Sequence, residues 1–438
     1  MIIKNARIVT FDNNKVIEKG FLKIKNGIII AIESGNDFNL EINEEVIDAK
    51  GNIVMPGFIC THGHIYSAFA RGMDLKGGST SNFLEILQNL WWRLDKKLNY
   101  EDIYYSALVT IIDCIKSGVT CLFDHHASQC SIDGSLDVIE KAFCELGLRG
   151  NLCYEVSDRD GEEAALKGIQ ENVRFIRKIS KGNSDMIKGL FGLHAAFTLS
   201  DKTLERISCE GGAIDAGYHV HVAEGQQDYE YVSKNYGMGV AERLNSYNII
   251  NNKSILAHCI HINHRDKELL KKANVIHNPE SNMNNAVGYC DVIELIEKDV
   301  LVGLGSDGFS SNPFRAIDTC YVLHKHEKRN PNAMSPKQVI DLAIINNGKI
   351  ASKYYENPVG ILKEGAKADV IILDYESPTP IYSGNIYGHI VFGMNTNNVT
   401  HSIINGKLIM KNREIIGIDE KEVYHKSREL ALKLWNRF

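Results

Sequence analysis

The chain has 438 residues, 44% hydrophobic and 24% charged, the balance of a folded globular protein and too long for one compact core. A formal net charge of -6, with Lys and Arg scattered along the chain, argues against a nucleic-acid partner. Without an apolar run near the roughly 20 residues that cross a bilayer, or a leader-like stretch in MIIKNARIVTFDNN, no membrane partner and a cytoplasmic location are expected.

In chain order, FLKIKNGIIIAIES alternates as strands do and carries Asn26-Gly27, the dipeptide of a type I′ hairpin. Eight short apolar runs follow: IVMPGFICTH, VTCLFDHH, LRGNLCYEV, IKGLFGLHAAF, YHVHVAE, SILAHCIH, ANVIHNPES and LVGLGSDG. Segments of helical pattern such as SLDVIEKAFCELG separate them, so a parallel sheet buried on both faces is expected. Eight such units over about 250 residues match the size of a (β/α)8 barrel. A doubly wound sheet is the rival, but no G-x-G-x-x-G follows the first run. KADVIILDYES and THSIINGKLIMKNREII then return to strand texture, with a second hairpin signal at Asn405-Gly406. The two β-rich ends could therefore pair into one small sandwich. The tail is expected as a surface helix with Leu430, Leu434 and Trp435 on its apolar stripe. The division reads as a composite β-sandwich from 1–55 and 360–420, a barrel over 56–359, and a helix over 421–438.

Ten cysteines contain no C-x-x-C pair, and several lie in apolar runs, so most are expected to be reduced, buried and structural.

The eight runs end in metal-capable residues. His62 and His64 close the first, His125 and His126 the second, His194 the fourth, His221 with Glu224 the fifth, His258 the sixth and Asp307 the eighth. In a barrel the C-terminal strand ends form one mouth, so residues distant in sequence converge there. His62 and His64, two apart on a strand, point to the same face and can hold one ion together. Histidines with a carboxylate suit zinc first, with iron or manganese as alternatives.

PGFICTHGH resembles the signature of the amidohydrolase superfamily, and GLHAAFTLS, HVHVAE, LAHC and GLGSDG resemble its later strand motifs. The order is similar to the branch of cytosine, guanine and S-adenosylhomocysteine deaminases and triazine hydrolases. Within it NLWWRLD, IKSGVTCLFDHHAS and HNPESNMNNAVG are most similar to the SsnA aminohydrolases. The resemblance implies one divalent ion on His62, His64, His221 and Asp307, with His258 bonding the water, Glu224 shuttling protons to a substrate ring, and His194 lining the pocket. A divalent ion lowers the pKa of its water towards about 7 and so makes hydroxide available for attack. Hydrolysis of a carbon–nitrogen bond in a purine-related ring is expected. A ring-opening cyclic amide or amidine hydrolase and a catalytically silent metal scaffold are the other readings. A two-metal site would need a bridging Lys or Glu where His194 stands, and Lys188 begins that run, so one metal is favoured.

Further expectations concern neighbours of this set. One of His125 and His126 reaches the pocket, with His125 as the substrate contact. Trp91, Trp92 and Arg93 wall the ring, with Arg93 binding a carbonyl or carboxylate. His219 and Cys60 pack deeper, Ser306 and Ser310 orient Asp307, and Ser281 donates to substrate or shapes its loop. His261, His264, His324 and His326 are expected to be solvated. The partner is a small molecule, and a homodimer is expected.

Overall fold

Both Asn-Gly pairs turn the chain as their composition dictates. Asn26 and Gly27 have φ of 53° and 76°, Asn405 and Gly406 51° and 72°. They join the strand Val16–Lys25 to Ile28–Ser34, and Val399–Ile404 to Lys407–Lys411. The two turns also touch each other. A Cβ on Gly406 would lie 3.0 Å from Gly27 Cα, so the contact itself requires glycine.

The computed structural model describes residues 1–438 apart from positions 14, 36, 41, 43, 76, 79 and 183. The chain is α/β. Its two ends share one nine-stranded sheet, joined where the strand Val370–Leu373 runs antiparallel to Ile53–Pro56. Ile3, Ile8, Leu22, Val54, Val370 and Ile403 supply its core.

All eight apolar runs between these ends form strands and, apart from Ile53–Pro56, the part of the first run in the nine-stranded sheet, all pair in parallel. Phe58–Gly63, Val119–His126, Arg149–Tyr154 and Ile187–Gly189 make one sheet. Phe191–Ala195, Tyr218–Val222, Ile255–His258, Asn274–His277 and Leu301–Leu304 make the other. The fourth run is thus split between them. Isolated parallel bridges, Gly63 to Asp307 and Val156 to Leu193, link the two sheets. The strands are apolar without alternation because both faces are covered: all eight residues of Val119–His126 are buried. One apolar cluster draws Ile59, Phe123, Cys153, Leu190, Ile255 and Ile276 from both sheets.

Amphipathic helices such as Ser135–Leu146 and Glu162–Lys181 follow the strands. The helix Tyr100–Lys116 starts at a capping box, where Asn99 and Asp102 exchange side-chain and backbone bonds. The last helix, Glu420–Arg437, buries Leu430 and Leu434 and ties Trp435 Nε1 to the carbonyl of Phe69 at 2.7 Å. No helix among the described residues is long and apolar enough to cross a membrane.

At the start of the strand Arg149–Tyr154 lies a buried ion pair between the parallel strands and the nine-stranded sheet. Arg149 donates Nε and Nη2 to the two oxygens of Asp369 at 2.6 and 3.0 Å, and Nη1 to the carbonyl of Asp185 at 2.7 Å. Asp369 Oδ1 also accepts the backbone N–H of Asn405 at 2.7 Å. Every oxygen of that carboxylate is bonded, which a buried charge requires.

Candidate active site

The other end of the same strands gathers the histidines. His64 Nε2 lies 3.0 Å from Asp307 Oδ1 and 3.2 Å from His221 Nε2, and His62 Nε2 lies 3.4 Å from Asp307 Oδ1. Ligands about 2.0–2.1 Å from a tetrahedral ion stand about 3.3 Å apart, so these spacings are those of its edges. His62 Nε2 is buried with no hydrogen-bond partner. The donor set therefore fits a divalent ion.

Each of these rings is oriented from behind. His64 Nδ1–H donates to the carbonyl of His125 at 2.6 Å, and His221 Nδ1–H to that of His194 at 2.8 Å. A carbonyl only accepts, so both rings carry a proton on Nδ1 and turn Nε2 inward. His62 Nδ1 meets His219 Nε2 at 2.8 Å. His219 is buried, as its strand position implies, but it bonds His62 rather than merely packing. Burial holds His62 down at about 3. For His64 burial acts the same way but is outweighed by the bond and charge of Asp307, which lift it to about 9. Despite burial, the neighbouring imidazoles of His62 and His64 hold Asp307 well below the usual carboxylate range. Ser281 Oγ–H, not Ser306 or Ser310, donates to Asp307 Oδ2.

The strands break abruptly at this end. Ala223, His258 and Asp307 have φ of 48°, 74° and 54°, left-handed values that cost a non-glycine residue on the order of 1–3 kcal/mol each. The turn at Ala223 delivers Glu224 to the cavity wall. Gly305 lies so close to its neighbours that a Cβ would meet Asn278 Oδ1 at 2.4 Å and the His62 carbonyl at 2.9 Å.

Glu224 Oε2 lies 3.5 Å from His258 Nε2. Burial first, then the charge of Asp307, raises its carboxyl well above the ordinary range. His258 Nδ1 bonds Asn282 Oδ1 at 2.8 Å, while its Nε2 has no hydrogen-bond partner. His258 also joins His62, His221 and Asp307 in a group of donors within 4.8 Å of one another. A second such group is His64, His125, Glu155 and His221.

The cavity above is lined by His64, His194, His221, Glu224 and Asp307 below, and by Phe83, Trp91, Trp92 and Phe197 as aromatic walls. A π-helical turn, Leu87–Trp91, carries the first tryptophan. Asp95 and Glu155, which the sequence did not single out, also face it. Arg159 donates to Asp95, lies 3.7 Å from Glu155, and stands 5.2 Å over the Trp92 ring.

Two expected substrate contacts are corrected. Arg93 does not line this cavity. Its guanidinium stacks 4.1 Å over the Phe438 ring and donates to the Phe438 carbonyl at 2.7 Å, because consecutive helical residues point about 100° apart. His125 lies beneath the ligands, with Nε2 bonded to the His219 carbonyl at 3.1 Å and Nδ1 3.3 Å from Glu155. His126 bonds Ser128 Oγ at 2.9 Å, so neither of the pair lines the cavity. His194 does line it, bonded to Thr198 Oγ1 at 2.7 Å. Lys188 pairs with Asp185 at 2.6 Å, away from the ligands. Cys60 is buried behind His62, its Sγ 3.3 Å from that carbonyl. All ten cysteines are free and seven are buried. His324, expected in solvent, is fully buried.

Comparison with known proteins supplies the family. A model described as "Amidohydrolase family" matches residues 53–409. A 5'-deoxyadenosine deaminase of Methanosarcina acetivorans is 32% identical over 445 positions, covering 99% of this chain and 98% of its own. A 5-methylthioadenosine/S-adenosylhomocysteine deaminase of Syntrophomonas wolfei is 32% identical over 446 positions, covering 99% of each. A zinc-bound adenosine deaminase from Xanthomonas campestris superposes with a TM-score of 0.86 at 19% identity, over 99% of this chain and 98% of that one. The chain belongs to the amidohydrolase family.

Proposed function

We propose that the protein is a metal-dependent aminohydrolase that deaminates a purine-related ring, with an adenosine derivative as the substrate class. The observation that carries this reading is the pairing of Glu224 and Asp307 in one cavity. Burial raises the Glu224 carboxyl well above the ordinary range, while His62 and His64 hold Asp307 well below it. Two carboxyl groups pushed apart in this way divide acid and base duties between them.

His62, His64, His221 and Asp307 would hold one ion. His64 is preferred to His258 as a ligand because it lies 3.0 Å from Asp307 Oδ1, whereas His258 stands 4.0 Å from Oδ2. Zinc suits the donor set best, with iron or manganese as alternatives. A single ion is favoured because His194 stands where a bridging Lys or Glu would be needed, and Glu155 is already engaged, 3.3 Å from His125 and 3.7 Å from Arg159. Such an ion supplies a nucleophile at neutral pH by lowering the pKa of water towards about 7. Asp307 would accept a proton from the attacking water. His258, its Nδ1 fixed on Asn282, offers the Nε2 lone pair to orient it. Glu224 donates to a ring nitrogen, which activates the adjacent carbon and lets ammonia leave. His194 positions the ring, and Trp91 and Trp92 cover its face.

The names of the Methanosarcina and Syntrophomonas relatives favour the adenosine class, and the SsnA-like motifs belong to the same reading. So do the finer points of architecture. The two parallel sheets close as a (β/α)8 barrel over 56–359, which the bridges at both seams and the shared inner cluster support. Residues 1–55 and 360–420 form the β-sandwich domain, and 421–438 the C-terminal helix. A cytoplasmic homodimer completes the proposal.

The test loads the protein with zinc, iron or manganese and offers adenosine derivatives, purines and pyrimidines. Ammonia released with the ring chromophore retained is the expected result. Loss of ring absorbance would transfer the site to ring-opening hydrolysis, and no turnover by any loaded form would leave a metal scaffold.

A further inference from the structure

Away from the cavity, His277 ends the strand Asn274–His277, and Cys320 and His324 lie on the helix Pro313–Lys328. The spacing of four puts the latter two on one helix face. The Cys320 sulfur and a ring nitrogen from each histidine lie within 4.8 Å of one another. All three side chains are 0% exposed, and the two imidazoles stand 5.3 Å apart, centroid to centroid. Among the described residues, none of their four ring nitrogens has a hydrogen-bond partner. Buried polar atoms are nearly always paired, and a leucine or phenylalanine would fill the same space without the penalty. Two histidines and a thiol sharing one buried point are what a metal ion repays.

We propose that His277, Cys320 and His324 form a second metal site, separate from the proposed catalytic one, that binds a single cuprous ion. Its donors are thiolate and imidazole, a soft set that copper(I) favours. Burial keeps both imidazoles neutral. Binding would expel the Cys320 proton, and one thiolate with one monovalent ion leaves the cluster uncharged. A divalent ion would leave a net buried charge and would call for a fourth ligand. Tyr289, whose ring lies 5.9 Å from that of His324, also lines a surface groove with the exposed Met283 and with His326. The inference stands whether or not the deaminase reading does.

The full chain, demetallated under reducing conditions and reloaded with zinc, is titrated anaerobically with cuprous ion against bicinchoninate. One equivalent should bind to the parent and to His62→Ala, and none to Cys320→Ser or His324→Phe. Circular dichroism and bound zinc should be unchanged in Cys320→Ser. X-ray absorption of the parent's copper should report one sulfur and two nitrogen neighbours. Equal copper uptake by the parent and Cys320→Ser, or no uptake by the parent, overturns the site. Cys320-dependent binding of zinc in preference to copper overturns the choice of ion.

Discussion

The two ends of the parallel strands use buried polar groups in opposite ways. At one end Arg149 and Asp369 satisfy each other and their neighbours completely, and the pair fastens the nine-stranded sheet to the strands. At the other end His62 Nε2 and His258 Nε2 have no hydrogen-bond partner among the described residues, beside a carboxylate that two histidines hold well below its usual range. Burial is equally deep at both. Polar groups that are fully paired stabilise the fold, while groups left unpaired at high cost are available to bind and react.

Substitutions can break this contrast. Glu224→Gln should lower kcat by about 10²–10⁴-fold, the usual worth of a general acid, while metal content stays near one per chain; full activity would remove Glu224 from the proton path. Arg149→Leu strands the Asp369 charge and should cost about 3–5 kcal/mol of stability in urea unfolding. Its folded fraction should bind metal normally, and a loss of metal affinity instead would mean the two ends are not independent. His219→Phe keeps the ring but removes the partner of His62 Nδ1. It should weaken zinc binding about 10–100-fold in a chelator competition, and an unchanged affinity would return His219 to a packing role.

The smallest effect concerns Asp228, which accepts the backbone N–H groups of Ala223 and Phe197 at 2.8 and 3.2 Å. Burial raises it from 3.8 to about 7. A carboxyl whose folded pKa is raised contributes stability that is present below the unfolded value and lost as pH rises through the folded one. The parent should therefore lose stability relative to Asp228→Asn between about pH 4 and pH 7, then level off. A pH-independent difference between the two would show that the folded pKa of Asp228 is not raised.

Much of the site was legible because the fold converts sequence position into place. An apolar run ending in a histidine or an acid puts that residue at the strand's C-terminal edge, which is how His62, His64, His221, Glu224, His258 and Asp307 were found together. Residues whose partners lie far along the chain gave no such signal. Arg93 meets Phe438, Asp95 meets Arg159, and His219 meets His62 across neighbouring parts of the fold. His324 looked like a solvated helical residue because its helix carries charge on several faces, and only packing shows which face turns inward.

By itself, the sequence determined the periodicities, the two Asn-Gly turns, the eight strands and the ligand types, because these depend on residues close together in the chain. The tertiary structure alone decided which imidazole supports which, which carboxyl is shifted up and which down, and that Arg93 and His125 turn away from the cavity. Those outcomes depend on burial and on contacts between residues far apart in sequence, where a few ångströms decide whether a polar group is paired or left free.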